Sequence, residues 1–337
     1  FYQYVGAKLQ RMNIQGIWRS EDSRAMKDFD PIRLAAFESI RQLPAIKPQF
    51  SINYFDHITS NYPANLFGYI KVELNDFSSI MSQYLSENLP VDLVLITEKD
   101  TTFNETQLPT IIAKEKIGNV LDILDSYKTL QDFYYRSGSG GGTAGYQEDI
   151  NKGYYLGHTS SLATSATYWP EVAPHEMAHV LQFYFARGFK NSCGEGQECG
   201  KWQGHLIEGS ANAVGMAIAF PQIGWYSDEM DKILKDDIQR YKSQLDMTSE
   251  SDAISFFKLI ETRDSDMKNS LVYSGGQILW EYYIGKYGFS KWIELYKNLP
   301  KTDNFNENLK ATIGIDKSTF YKDAAPYFIS VWKRLAS

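Results

Sequence analysis

The chain contains one His-Glu-x-x-His run, His175-Glu176-Met177-Ala178-His179. On a helix, residues four apart lie one turn apart, so the two imidazoles project from the same face. So placed, they can take two corners of a zinc tetrahedron, with Zn–N bonds of roughly 2.0–2.1 Å. Glu176, next to the first histidine, is positioned to reach a water on the metal rather than the metal, which is the place of a general base. The run Val180-Leu181-Gln182-Phe183-Tyr184-Phe185-Ala186-Arg187-Gly188 predicts that the helix continues, stops at Gly188 and carries Arg187 in its last turn. Pro170 and Pro174 confine its start, because proline is tolerated in a first turn where no backbone N–H is needed. Two histidines and a glutamate on a nearly all-apolar helix are costly to bury without partners, and a metal would supply them. The plain alternative is two ordinary helix histidines hydrogen-bonded to their neighbours.

The third ligand decides the kind of site. A histidine six residues after His179, with a glycine between, would mark one zinc class, but Gln182 and Phe185 stand at the two positions. Further along the chain comes Glu208 among small residues, Gly209, Ser210, Ala211, Ala213, Gly215 and Ala217, which let a second helix come close. His205, three residues before Glu208, is the rival ligand. Glu208 is preferred because two histidines, one glutamate and an open fourth position form an established catalytic zinc arrangement. Asn212, one turn after Glu208, is the candidate to hydrogen-bond a ligating histidine and fix its tautomer.

These segments, with Tyr273-Ser274-Gly275-Gly276 further on, resemble the gluzincins, zinc metallopeptidases of the thermolysin and aminopeptidase N superfamily, and bacterial peptidase-MA-like domains in particular. The resemblance covers residues 90–337, tightly at the zinc helices and loosely elsewhere. It implies an α+β zincin-type catalytic domain with a small mixed sheet, zinc-binding helices, a mostly helical C-terminal lobe and a cleft between two lobes. It also implies hydrolysis of peptide bonds by a zinc-activated water, with Glu176 as base and Tyr273, of a Tyr-x-x-Gly pattern, as donor to the developing oxyanion. A strand before the zinc helix would border the cleft and pair with substrate backbone. Gly153 to Ser160 is the candidate, and Gly145, Tyr154, Tyr155 and His158 are the candidate substrate contacts. The family's Gly-x-Met-Glu-Asn exopeptidase segment is absent as such.

The remainder sets the frame. A chain of 337 residues, 43% hydrophobic and 15% aromatic, can build a sizeable core. A net charge of −7 argues against nucleic acid and anionic membranes as partners. No apolar run approaches the roughly 20 residues of a membrane span. Cys193 and Cys199, in a glycine-rich segment, are a disulfide candidate, since a second metal site lacks partners of suitable spacing. A disulfide points to an oxidising compartment, and with a first residue other than Met it suggests a secreted or cell-surface protein whose signal peptide was removed.

Val91 to Thr97 predicts a strand, and Arg33–Leu43, Phe77–Leu85 and Ile117–Tyr135 predict helices. Ser137 to Gly145 breaks regular structure, as a surface loop or a functional one. Phe328, Trp332 and Leu335 mark a last amphipathic helix. The expected organisation is an accessory region 1–89, a zincin core 90–225 and a helical lobe 226–337, as a monomer acting on a peptide or protein. Two other readings stand beside this one: a catalytically silent zincin-fold binding module, and a zinc hydrolase of a non-peptide acyl bond.

Overall fold

A computed structural model describes residues 2–5, 8–12, 18–20, 24–97, 99, 106–115, 140–159, 170–189, 203–245, 247–302 and 304–337. Cys193, Cys199 and the expected helix Ile117–Tyr135 lie outside these residues. The described part is mostly helical with a small mixed sheet, consistent with the α+β class. Among the described residues no helix is long and apolar enough to cross a membrane. The chain divides into two units, Phe1–Glu21 with Leu43–Tyr184, and Asp22–Gln42 with Phe185–Ser337. The expected boundaries at 89 and 225 both fall inside these units.

The first unit holds a three-stranded antiparallel sheet, β1 (Tyr2–Val5), β2 (Lys8–Met12) and β3 (Trp18–Ser20). Its main element is a second sheet of β4 (Ile52–Ile58), β5 (Leu89–Thr97), β6 (Gly140–Gln147) and β7 (Lys152–Thr159), in the order β4-β5-β7-β6. β4 pairs with β5, so residues 52–58 are built into this sheet, while residues 22–42 belong to the second unit. β5 is parallel to both neighbours and reads Leu-Pro-Val-Asp-Leu-Val-Leu-Ile-Thr, the near-continuous apolar run of a strand buried on two faces. Its one charge, Asp92, is 1% exposed and is matched by His57 Nε2 at 3.0 Å and Lys152 Nζ at 2.5 Å.

Helix α2 (Ala64–Met81) buries Leu66, Ile70, Leu74, Phe77 and Met81, a stripe at helical spacing. It is pinned to β4 by Ser78 Oγ donating to Tyr54 Oη, 3.0 Å. A short helix, α3, covers Leu108–Glu115. Then α4 (Val172–Phe185) begins between Pro170 and Pro174 and gives way to a turn ending at Gly188, whose φ of +81° is the left-handed conformation common just after a helix. Tyr184 of α4 ties back to the strand side, accepting from Ser86 N at 3.1 Å and packing edge-on against Tyr146 of β6 at 5.6 Å.

The described part of the Ser137 to Gly145 segment, residues 140–145, is strand rather than loop, and residues 137–139 lie outside the described residues. Gly140 to Gly145 lie in β6, antiparallel to β7, with Gly142 opposite Gly157. A Cβ at Gly142 would stand 2.7 Å from the Tyr155 ring and 2.9 Å from Glu176 Cγ, so those side chains fill the space that β6 leaves empty. Strand preference here comes from packing, which is why composition alone misled.

The second unit is all-helical among the described residues. It comprises α1 (Pro31–Ile40), a π-helical turn (His205–Gly209) running into α5 (Ser210–Ala219), α6 (Ile223–Tyr241), α7 (Glu250–Leu259), α8 (Asp266–Tyr287), α9 (Phe289–Asn298), α10 (Phe305–Ile313) and α11 (Lys317–Ala336). α8 is the axis. It is buried on all sides from Ser274 to Ile284, as an internal helix must be. α1 is clamped to it by Arg33, 2% exposed, which reaches the fully buried Glu281 through Nε at 2.9 Å and Nη2 at 3.2 Å. Tyr327 Oη donates to the same carboxylate at 2.5 Å, and Arg33 Nη1 reaches Asp231 at 2.7 Å.

Removing one partner strands the other charge in the core. Arg33→Ala is expected to lower unfolding free energy by about 3–5 kcal/mol in urea titration, and Arg33→Met with Glu281→Leu to recover most of it. Equal stability of the single and double variants would refute the clamp.

Candidate metal centre

α4 delivers the first two candidate ligands. His175 and His179 rings stand 4.6 Å apart at 89°, and their Nε2 atoms face each other at 3.0 Å. His175, Glu176 and His179 are 7%, 8% and 8% exposed. One turn further, Gln182 Oε1 lies 2.8 Å from His179 Nδ1. A carboxamide oxygen only accepts, so Nδ1 carries the proton and donates, and the lone pair of His179 sits on Nε2. This fixes the tautomer that a metal ligand needs.

Gln182, not Asn212, is therefore the residue seen to orient a candidate ligand. Asn212 is buried on α5 and donates its amide to Gln277 of α8, 3.1 Å. The signal for Gln182 was present: a carboxamide three residues after a histidine, on the same face of an apolar helix.

Glu208 comes from the π-helical turn. A π turn holds more residues than the 3.6 of an α-helix, so residues three apart no longer stack above one another. That separates Glu208 from its rival. His205 is fully buried and turns into the core, where Trp280 Nε1 donates to its Nδ1 at 3.2 Å. Nε2 must then carry the proton, which goes to Tyr321 Oη at 2.8 Å, and Tyr321 donates on to Glu261 at 2.9 Å. Both nitrogens are thus engaged by the protein. Burial, with the nearby Lys317 charge, lowers the His205 pKa to about 3.

Glu208 itself receives Arg263 Nη1 on Oε1. The turn is locked to α8 by glycines: a Cβ on Gly209 would lie 2.5 Å from the Gly276 carbonyl carbon. Backbone thus meets backbone, the close approach that small residues permit. The Leu206 carbonyl inside the turn accepts from Tyr296 Oη at 2.7 Å and Ser210 Oγ at 2.6 Å.

His175, His179 and Glu208 form a buried group whose candidate ligand atoms all lie within 4.8 Å of one another. The group could hold a metal ion. Two imidazoles and a carboxylate are the donor types of a zinc site. In a zinc tetrahedron two ligand nitrogens sit roughly 3.3 Å apart, close to the 3.0 Å seen between the Nε2 atoms.

The other expected site residues are spread over α8, β6 and β7. Tyr273 is half-buried on α8, one turn before Gly276. Tyr155 lies on the sheet face that carries α4, its ring against Gly142 beside Glu176. Cross-strand partners share a face, and the pairs Gly145–Tyr154 and Gly141–His158 alternate with Gly142–Gly157. Gly145, Tyr154 and His158 therefore point to the opposite face, away from Glu176. Burial lowers the His158 pKa to about 4. β7, the expected cleft-edge strand, is paired on both sides, by β5 and β6. Among the described residues the outer strand next to Glu176 is β6. No family model, no curated protein and no solved structure matches this chain.

The depressed His205 pKa has a sign. Below about 6.5 the unfolded chain takes a proton that the folded chain refuses until about pH 3. His205 thus favours folding above that window, and the contribution is lost as pH falls through it. His205→Gln keeps a donor and an acceptor but does not titrate, so its unfolding free energy should fall less between pH 6.5 and 4 than that of the parent. Parallel curves would contradict the assignment.

Proposed function

We propose that this protein is a zinc-dependent peptidase of the gluzincin kind, with His175, His179 and Glu208 as metal ligands and Glu176 as general base. The observation that carries the reading is the buried His175-His179-Glu208 group with Glu176 on the same helix, beside the glycines of β6. A purely structural zinc site would want a fourth protein ligand and no neighbouring base.

Bound zinc would lower the pKa of a water towards about 7 and polarise a scissile carbonyl. Gln182 keeps His179 presenting Nε2. The Glu176 carboxylate accepts the proton of the attacking water and hands it to the nitrogen of the departing amine. β6 lies against Glu176 Cγ, and a strand edge offers main-chain N–H and C=O groups to an extended peptide. Main-chain pairing tolerates varied side chains, so the reading favours a peptide or protein substrate over a small ester. Tyr273 is the proposed donor to the oxyanion, a role worth roughly 3 kcal/mol where such donors have been removed.

Glu176→Gln should retain zinc and lose peptide hydrolysis by at least 100-fold, on the order of the 10²–10⁴ that a general base contributes. A peptide-library digest with and without chelator reads this, and undiminished cleavage would remove Glu176 from the role. Gln182→Leu should weaken zinc affinity by about 10–100-fold in chelator competition. Unchanged affinity would show that the Gln182 contact does not serve the metal.

A further inference from the structure

The strongest unexplained feature near this centre is a cation on one of its ligands. Arg263 belongs to the turn between α7 and α8, 55 residues from Glu208. That turn is fixed to the approach of the π-helical turn by Gly204 N donating to Glu261 O at 2.8 Å and His205 N donating to Ile260 O at 3.0 Å. The Glu261 side chain is held in turn by Lys317 at 2.8 Å and Tyr321 at 2.9 Å. The Arg263 stem passes so close to Gly204 that a Cβ there would stand 3.1 Å from Arg263 Cγ. The guanidinium is therefore delivered to Glu208 Oε1 by a braced backbone rather than by a swinging surface side chain.

We infer that Arg263 is a positioning residue that holds Glu208 to ligation through one oxygen. This rests on the proposed metal centre of His175, His179 and Glu208. A carboxylate can grip a metal with one oxygen or with both. Guanidinium is charged at every working pH and donates along fixed directions, so the oxygen that accepts from it has one lone pair occupied and is the weaker donor to a metal, which favours ligation through the other oxygen. Glu208 would then ligate through a single oxygen. Two imidazoles and one oxygen would leave the fourth position of a tetrahedral ion open for water, which is what distinguishes a catalytic site from a closed one. Arg263 also compensates the charge of a carboxylate that is 6% exposed.

Cobalt(II) loaded in place of zinc tests this, because its visible band is intense in four-coordinate sites and weak at higher coordination. The full chain is compared with Arg263→Gln, Arg263→Lys and His175→Ala. Arg263→Gln should bind one equivalent of cobalt with a clearly weakened band, as the second oxygen of Glu208 joins. Arg263→Lys should fall between, since lysine keeps the charge without the fork. Added millimolar guanidinium should restore the band of Arg263→Gln. An Arg263→Gln band identical to that of the parent at equal loading overturns the inference. So does a lost band that guanidinium does not restore, including the case in which the variant takes up no cobalt. Parent protein that binds no cobalt, or no more than His175→Ala does, would instead overturn the metal centre itself and this inference with it.

Discussion

Two imidazoles, a carboxylate and a carboxamide sit on a helix buried almost throughout, and burying such a group unpaired costs about 1–3 kcal/mol, more when it is charged. Much of the first unit answers that cost. Gln182 takes the outer nitrogen of His179, and the two Nε2 atoms are left facing one point. Gly142 of β6 makes room for the Glu176 and Tyr155 side chains, so the carboxylate stays on the strand side of the helix. A sheet with ordinary side chains at Gly142 would push Glu176 away from its neighbours.

The second unit solves a different problem, the placement of one carboxylate. An α-helix would have put His205 and Glu208 on one face as competing ligands. The π turn separates them. His205 is committed to Trp280 and Tyr321, and Glu208 is committed to Arg263 and to the group it shares with the two histidines. The turn holds its shape because Gly209 meets Gly276 backbone to backbone and because Tyr296 and Ser210 cap the Leu206 carbonyl. Gly276 belongs to the Tyr-x-x-Gly pattern, and its visible role is this close approach.

Local chemistry made part of this legible in the sequence. Two prolines bound the start of α4, which ends at Phe185, before the turn that carries Arg187 and Gly188; the apolar run at Val91–Thr97 lies in β5, an inner strand, and Phe328 and Trp332 lie on the last helix. Glu208 groups with His175 and His179, while the small residue beside it, Gly209, meets Gly276 of α8. What the sequence hid is what tertiary contact decides. Gly142 of β6 lies against Tyr155 and Glu176, and nothing in a glycine run announces such cover. The misplaced outer strand came from the same source, since β7 is outermost only if β6 is a loop. A π turn leaves no composition signature. Arg263 comes from a distant turn held by backbone bonds at 204 and 205, beyond the reach of any periodicity.

X-ray absorption at the zinc K edge of the zinc-loaded protein tests the central claim most directly. The account predicts one zinc per chain in a nitrogen and oxygen shell at about 2.0–2.1 Å, with the outer scattering of two imidazoles. Failure to bind one equivalent of zinc, or a sulfur shell at about 2.3 Å, would contradict it.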